Sequence, residues 1–253
     1  MDTASGIVVD GVSYSYGSTV ALDAVSMSAS PGRFTALIGP NGAGKSTLVA
    51  LLTGLFVTRL GRITILGFDM AEDARAALSR IGVVFQQPTL DLDLSVSQNM
   101  LYFAALHGMA GRRARQRSSA SLERLGLGGR EHDKVRALSG GYRRRLEIAR
   151  ALMHEPRVLI LDEPTVGLDA PTRSDLVAQL HALCRDEHLT VFWATHLVDE
   201  VWPGDDLVVL AGGRVKAAGP VADVLAACGA ADVLDAFRRL TSDGSAEAAG
   251  DGA

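Results

Sequence analysis

The segment Gly39-Pro40-Asn41-Gly42-Ala43-Gly44-Lys45-Ser46-Thr47 combines the residue types needed to hold a chain of phosphates, at the spacing G-x-x-x-x-G-K-[ST]. Backbone N–H groups must wrap around phosphate oxygens, and glycines permit the close approach and unusual φ values this requires. A helical pattern from Lys45 to Leu55 follows, so its positive N-terminal end faces the same anion. Lys45 supplies charge to the β- and γ-phosphates, and Ser46 offers a hydroxyl to Mg²⁺. Lysine is scarce elsewhere: of 25 basic residues only Lys45, Lys134 and Lys216 are lysines. A compact flexible ammonium suits a phosphate cradle better than a planar guanidinium.

Two further groups could take part in the same chemistry. The apolar run Val158-Leu159-Ile160-Leu161 ends in Asp162-Glu163-Pro164. A buried parallel strand ending in two carboxylates delivers them to the sheet edge where ligands bind. Asp162 is placed to hold Mg²⁺, and Glu163 to act as general base or to orient water against the γ-phosphate. The second group is Leu138-Ser139-Gly140-Gly141-Tyr142, followed by the basic helix Arg143 to Arg150. Ser139 fits a helix N-cap, and the N–H groups after it form a second anion site.

Short alternating runs, Ile7–Val9, Val12–Tyr16 and Leu22–Met27, punctuated by Gly11 and Gly17, predict an antiparallel β region at the N-terminus. The run Phe34–Ile38 predicts a strand leading into the glycine-rich segment, with further strands at Ile63–Leu66 and Ile81–Phe85. From about Leu94 to Ala137 the pattern is helical, with a basic stretch over Arg112–Arg117 read as a solvated face, a membrane or partner contact being the alternative. Strands return at Val158–Leu161, Leu189–Ala194, Asp206–Leu210 and Arg214–Ala217, the last two joined through Gly212-Gly213. Helices are expected near Gly141–His154 and Thr172–Arg185. Strands alternating with helices predict an α/β fold. The expectation is a P-loop NTPase core with a mostly parallel sheet, an N-terminal antiparallel region and a helical subdomain inserted at about 88–140. The domain is expected to span 1–240, with a disordered Gly/Ala/Ser/Asp-rich tail over 241–253.

Composition narrows the class. A chain of 253 residues with 47% hydrophobic content can bury a sizeable core. Its apolar runs fall short of the roughly 20 residues needed to cross a bilayer. No basic segment opens the chain as in a signal peptide, and Cys184 and Cys228 lack metal-site spacing. A soluble intracellular protein is expected. The net charge of −4 argues against a nucleic-acid partner.

With these motifs in place, the chain resembles the ATP-binding subunit of an ABC transporter over roughly residues 7–220. Gly39 to Thr47 looks like Walker A, Val158 to Glu163 like Walker B with the catalytic glutamate, and Leu138 to Gly141 like the signature motif. Tyr16 resembles the aromatic residue that stacks on adenine, and Gln86 the Q-loop glutamine serving catalysis and Mg²⁺. Gly167-Leu168-Asp169 resembles the D-loop, with Asp169 near the nucleotide, and His196 the switch histidine. One departure is Tyr142, where the family usually has glutamine. The resemblance implies ATP and Mg²⁺ as cofactors and a head-to-tail dimer, of this chain or with a similar ATPase, around two ATP. It also implies a separate integral-membrane permease and a peripheral location on the cytoplasmic face of the inner (plasma) membrane. The segments Gln86–Val96, Val166–Asp169 and Trp193–Glu200 resemble those of ATPases of ABC-2 type exporters and, within that group, of ATPases associated with PQQ-dependent alcohol dehydrogenase systems. Two alternatives stay open: a soluble non-transport ABC ATPase, and a non-hydrolysing nucleotide-binding scaffold.

Overall fold

The computed structural model describes residues 6–242. It contains two sheets. The N-terminal sheet has the order β2-β1-β4-β5, from strands β1 (Ile7–Tyr16), β2 (Thr19–Ala29), β4 (Arg62–Ile65) and β5 (Phe68–Asp69), all antiparallel. The central sheet has the order β10-β9-β3-β8-β7-β6. Its strands are β3 (Phe34–Ile38), β6 (Ile81–Val84), β7 (Val158–Asp162), β8 (Thr190–Thr195), β9 (Asp206–Ala211) and β10 (Arg214–Pro220). Five of them run parallel, and β10 pairs antiparallel with β9.

Every residue of β3, β7 and β8 is buried, because the central sheet is covered on both faces. Strand periodicity sorts their side chains between two cores. Leu159, Leu161, Val191 and Trp193 pack toward α3 (Val96–Leu106), α4 (Gly111–Arg124), α5 (Gly140–Leu152) and α6 (Ala170–Glu187). Val158, Ile160, Phe192 and Ala194 pack toward α1 (Lys45–Leu52) and the N-terminal sheet. A third cluster holds α7 (Val221–Cys228) and α8 (Val233–Thr241) against β9. A short helix, α2 (Ala74–Leu78), lies between β5 and β6.

Three expectations need correction. Gly11 does not end a strand: β1 runs through it with a register shift between Val9 and Val12, and its φ of +59° marks a bulge. The helical pattern over 94–137 is interrupted after Arg124. Gly126 and Gly129 take φ of +68° and +80°, and the chain returns so that Val135 N–H reaches the Leu94 carbonyl. Thr241 and Ser242, expected in a disordered tail, are the last residue and the C-cap of α8; the remainder of that expected tail, 243–253, lies outside the described residues. Helices α2, α7 and α8 were not read from the sequence.

Candidate nucleotide-binding site

The order β3-β8-β7-β6 sets four strand ends side by side at one sheet edge. Ile38 pairs with Thr195, Ala194 with Asp162, and Leu161 with Val84. The residues just beyond those ends are Gly39, His196, Glu163 and, one step further on, Gln86.

The loop after β3 enters α1 through Gly44, whose φ of +105° is left-handed and whose Cβ would sit 2.6 Å from the Ala21 carbonyl oxygen. Any side chain there would displace backbone. No side chain caps α1, and its first turn carries no acidic residue, so its leading N–H groups are available to an anion. Lys45 is only 5% exposed, and its Nζ donates to the carbonyls of Gly39 (2.8 Å) and Pro40 (3.2 Å). It also lies 3.5 Å from Glu163 Oε1, while Glu163 Oε2 lies 3.1 Å from His196 Nδ1. One buried carboxylate thus joins the loop lysine to the histidine after β8.

Glu163 holds a backbone φ of +46°, unusual for a residue with a Cβ. Its N–H donates to the Ala194 carbonyl at 2.8 Å, which bends the chain out of β7 and turns the carboxylate toward Lys45 and His196. Asp162, its neighbour, is buried and its Oδ1 has no hydrogen-bond partner. Burial holds the Asp162 carboxyl above its ordinary pKa; a hydrogen bond with Ser46 opposes this, the Glu163 charge adds to it, and Lys45 lowers it again. An unpartnered buried carboxylate oxygen beside a serine hydroxyl is a hard-oxygen donor set that fits Mg²⁺. Tyr16 completes the group: its hydroxyl is 3.3 Å from Thr47 Oγ1, and its ring meets Tyr14 and Phe56 edge-on while remaining 49% exposed.

Ser139, Gly140, Gly141 and Asp169 form a second group. Ser139 caps α5 by accepting from Tyr142 N–H (3.4 Å), and Asp169 caps α6 by accepting from Thr172 N–H (2.8 Å). Hydrogen bonds from Thr172 hold the Asp169 carboxyl below its ordinary pKa. The two helix starts touch, since a Cβ on Gly141 would lie 2.5 Å from Thr172 Cγ2. Between them opens a cavity lined by Gly126, Ser139, Gly141, Tyr142, Arg145 and Thr172. The Tyr142 ring is packed under the Arg130 guanidinium at 4.2 Å. Among the described residues, no hydrogen bond or ion pair joins this group to the Lys45–Glu163–His196 group.

Gln86 lies between the two in the fold. It is exposed, and its carbonyl accepts from Arg144 (3.2 Å), which also donates to the Phe85 carbonyl (2.9 Å). Arg144 is paired with Glu147 (2.7 Å), and Glu147 accepts from Thr89 N–H (2.8 Å). Helix α5 therefore carries the Ser139 cap at its start and grips the Gln86 segment one turn later. Sequence reasoning missed this pair; its signal was two charges at i, i+3 on an otherwise apolar helix face. Glu200 was missed as well. It is 2% exposed and accepts from the Thr165 hydroxyl and from Trp193 Nε1 (2.9 Å), which ties the turn after Glu163 to the segment bearing His196.

Residues 22–166, more than half of the chain, match the family model described as ABC transporter. The chain belongs to the ABC transporter family. It is an ATP-binding ATPase subunit of that family. It is 39% identical over 238 residues to the daunorubicin resistance ATP-binding protein DrrA3 of Streptomyces coeruleorubidus, covering 94% of this chain and 74% of the relative. Among solved structures it superposes on cbiO1 of Clostridium perfringens, part of the ABC transporter complex cbiONQ, with a TM-score of 0.80 and 32% identity. That match covers 88% of this chain and 91% of the other. The ATP-binding cassette MJ0796, a dimer in a post-hydrolysis state bound to ADP and Pi, gives a TM-score of 0.74 at 27% identity, over 85% of this chain and 98% of that one. Among the described residues of this ABC subunit, no helix is long and apolar enough to cross a membrane.

Proposed function

We propose that this chain is the motor of an exporter, closing head to tail with a second ATPase subunit around two ATP and driving a separate integral-membrane permease from the cytoplasmic face. The observation that carries this reading is the separation of two phosphate-binding elements within one chain. The N-terminus of α1 and the Ser139-capped N-terminus of α5 both suit anions, yet among the described residues no hydrogen bond or ion pair joins them directly. Two copies in opposite orientation would set the Ser139–Gly141 turn and Asp169 of each against the Gly39–Thr47 loop of the other. Export as the direction rests on similarity to the Nod factor export ATP-binding protein I of Neorhizobium galegae, 39% identical over 215 residues.

In this reading the Gly39–Thr47 backbone and Lys45 bind the β- and γ-phosphates, and Tyr16 offers its exposed ring to adenine. Ser46, Asp162 and Gln86 would hold Mg²⁺, which when bound neutralises charge on the phosphate oxygens. Glu163 takes a proton from water as its oxygen attacks the γ-phosphorus, and the bond from that phosphorus to the ADP oxygen breaks. His196, held on Glu163, donates toward the γ-phosphate oxygens. Loss of the shared γ-phosphate then loosens the pair, and Gln86, gripped by α5, passes that change to the permease-facing side.

Mixing two inactive variants tests the composite site. Lys45→Ala removes the loop lysine, and Ser139→Arg blocks the second turn. Each alone should lose ATP hydrolysis. An equimolar mixture should regain about a quarter of wild-type turnover, because half the pairs are mixed and each mixed pair holds one intact site. No recovery, or full activity of Ser139→Arg alone, would defeat the composite-site reading.

A further inference from the structure

We propose that the corner between α3 and α4 is a contact surface for anionic lipid headgroups. The stretch from Leu94 to Leu122 contains four arginines, Arg112, Arg113, Arg115 and Arg117, and no aspartate or glutamate. The chain as a whole carries a net charge of −4, so this corner is strongly cationic against an acidic remainder.

The arginines stand where helix electrostatics disfavours them. Arg112, Arg113 and Arg115 lie in the first turns of α4, beside its positive N-terminal end, and no acidic residue occupies the first turn. The N-cap, Ala110, provides no side-chain acceptor. Ordinary solvated helices place acids at this end and mix both signs along the exposed face. Arg117 is paired with Glu155, whereas Arg112, Arg113 and Arg115 are exposed and make no ion pair among the described residues. Their outward direction is set by packing: Ala114, Ser118, Ser121 and Leu122 bury the opposite face of α4.

An apolar margin adjoins the charge. Tyr102 and Leu106, one turn apart on α3, are 65% and 66% exposed, and Leu106 precedes Arg112 by only six residues across the tight 107–110 turn. Arginines next to an exposed tyrosine and leucine match a membrane interface, where guanidinium groups meet lipid phosphates and the amphipathic ring sits at headgroup level. A polyanion such as RNA would match the charge but not the aliphatic margin, and the acidic remainder of the chain would repel it. The contact needs neither nucleotide nor permease, and it goes beyond the transport reading.

The test is co-sedimentation of the full chain, without permease or nucleotide, with vesicles of phosphatidylcholine alone or mixed with phosphatidylglycerol. Binding to the mixed vesicles should be salt-sensitive and absent with phosphatidylcholine alone. Basic residues near an anionic surface each strengthen binding about fivefold, so combining Arg112→Gln, Arg113→Gln and Arg115→Gln should weaken it roughly 100-fold while basal ATP hydrolysis is unchanged. Tyr102→Ser with Leu106→Ser should weaken vesicle binding several-fold with the salt dependence retained. Equal binding to both vesicle types would overturn the proposal, as would a triple variant within twofold of wild type. Displacement from the mixed vesicles by RNA at equal phosphate concentration would assign the surface to nucleic acid instead.

Discussion

Replacing Glu163 by glutamine keeps the size of the side chain and removes its charge. In the structure that charge lies 3.5 Å from Lys45 Nζ and 3.1 Å from His196 Nδ1. At an effective dielectric constant of about 20, the attraction to Lys45 alone is about 5 kcal/mol before any cost is counted. Desolvating the carboxylate costs several kcal/mol, and the neighbouring Asp162 charge opposes it. The amide can still accept a hydrogen bond from Lys45 or His196, and Lys45 keeps its bonds to Gly39 and Pro40. The opposing contributions nearly cancel, so folding stability should change by no more than about 1–2 kcal/mol, a few degrees in Tm for a chain of this size. Turnover should respond quite differently, because a general base contributes about 10²- to 10⁴-fold. Phosphate release at saturating ATP should fall at least 100-fold. ATP affinity, measured by titration, should be unchanged or tighter, since a negative charge next to the phosphates has gone. Turnover within tenfold of wild type would remove Glu163 from the role of base. A parallel loss of affinity and turnover would mean that its task is to position Lys45.

Two other outcomes follow from particular contacts. Gly141→Ala should destabilise the protein by about 1–3 kcal/mol through the 2.5 Å approach to Thr172 Cγ2, more than the roughly 1 kcal/mol that alanine adds as a helix former. In a Thr172→Ser background the offending methyl is absent and the same change should become stabilising; a melting-temperature cycle without this reversal would reject the packing account. Burial, then the nearby His107 charge, lowers the pKa of His154 from 6.5 to about 4, against a hydrogen bond to the Ile81 carbonyl. The unfolded chain therefore takes up a proton on this ring as pH falls below about 6.5 while the native state does not until about 4. Stability should decline across that window by about 2 kcal/mol after allowing for the ring's partial exposure, and His154→Gln should flatten this slope of Tm against pH.

Much of the site was legible because its chemistry depends on short stretches. The Gly39–Thr47 loop needs glycines for backbone approach and a lysine for charge, and Asp162-Glu163 needs only an apolar strand before it. The N-cap role of Ser139 could also be read, since capping is decided within four residues. Local signals failed where the deciding contact was distant. Gly11 reads as a turn in isolation, but pairing of β1 with both β2 and β4 carries the strand through it as a bulge. Helix α7 is short and α8 is marginal alone, and both are held by β9 and by each other.

The order of strands was also beyond reach, although each strand of the central sheet was visible. Sequence places residues 39, 86, 163 and 196 far apart and says nothing of their neighbours. The order β3-β8-β7-β6 sets them along one edge, because parallel strands of one twisted sheet end on the same side. The buried acceptors Glu147 and Glu200 became intelligible only there. A carboxylate in a helix or after a strand is locally indistinguishable from a surface residue until donors from separate elements, Thr89 for one and Trp193 and Thr165 for the other, are brought to it. Composition and spacing by themselves determined that the chain handles nucleotide phosphates, because that depends on which atoms a few consecutive residues can present. Which residues act on them together was decided by tertiary structure, because hydrogen bonds and ion pairs depend on distances that chain connectivity does not set.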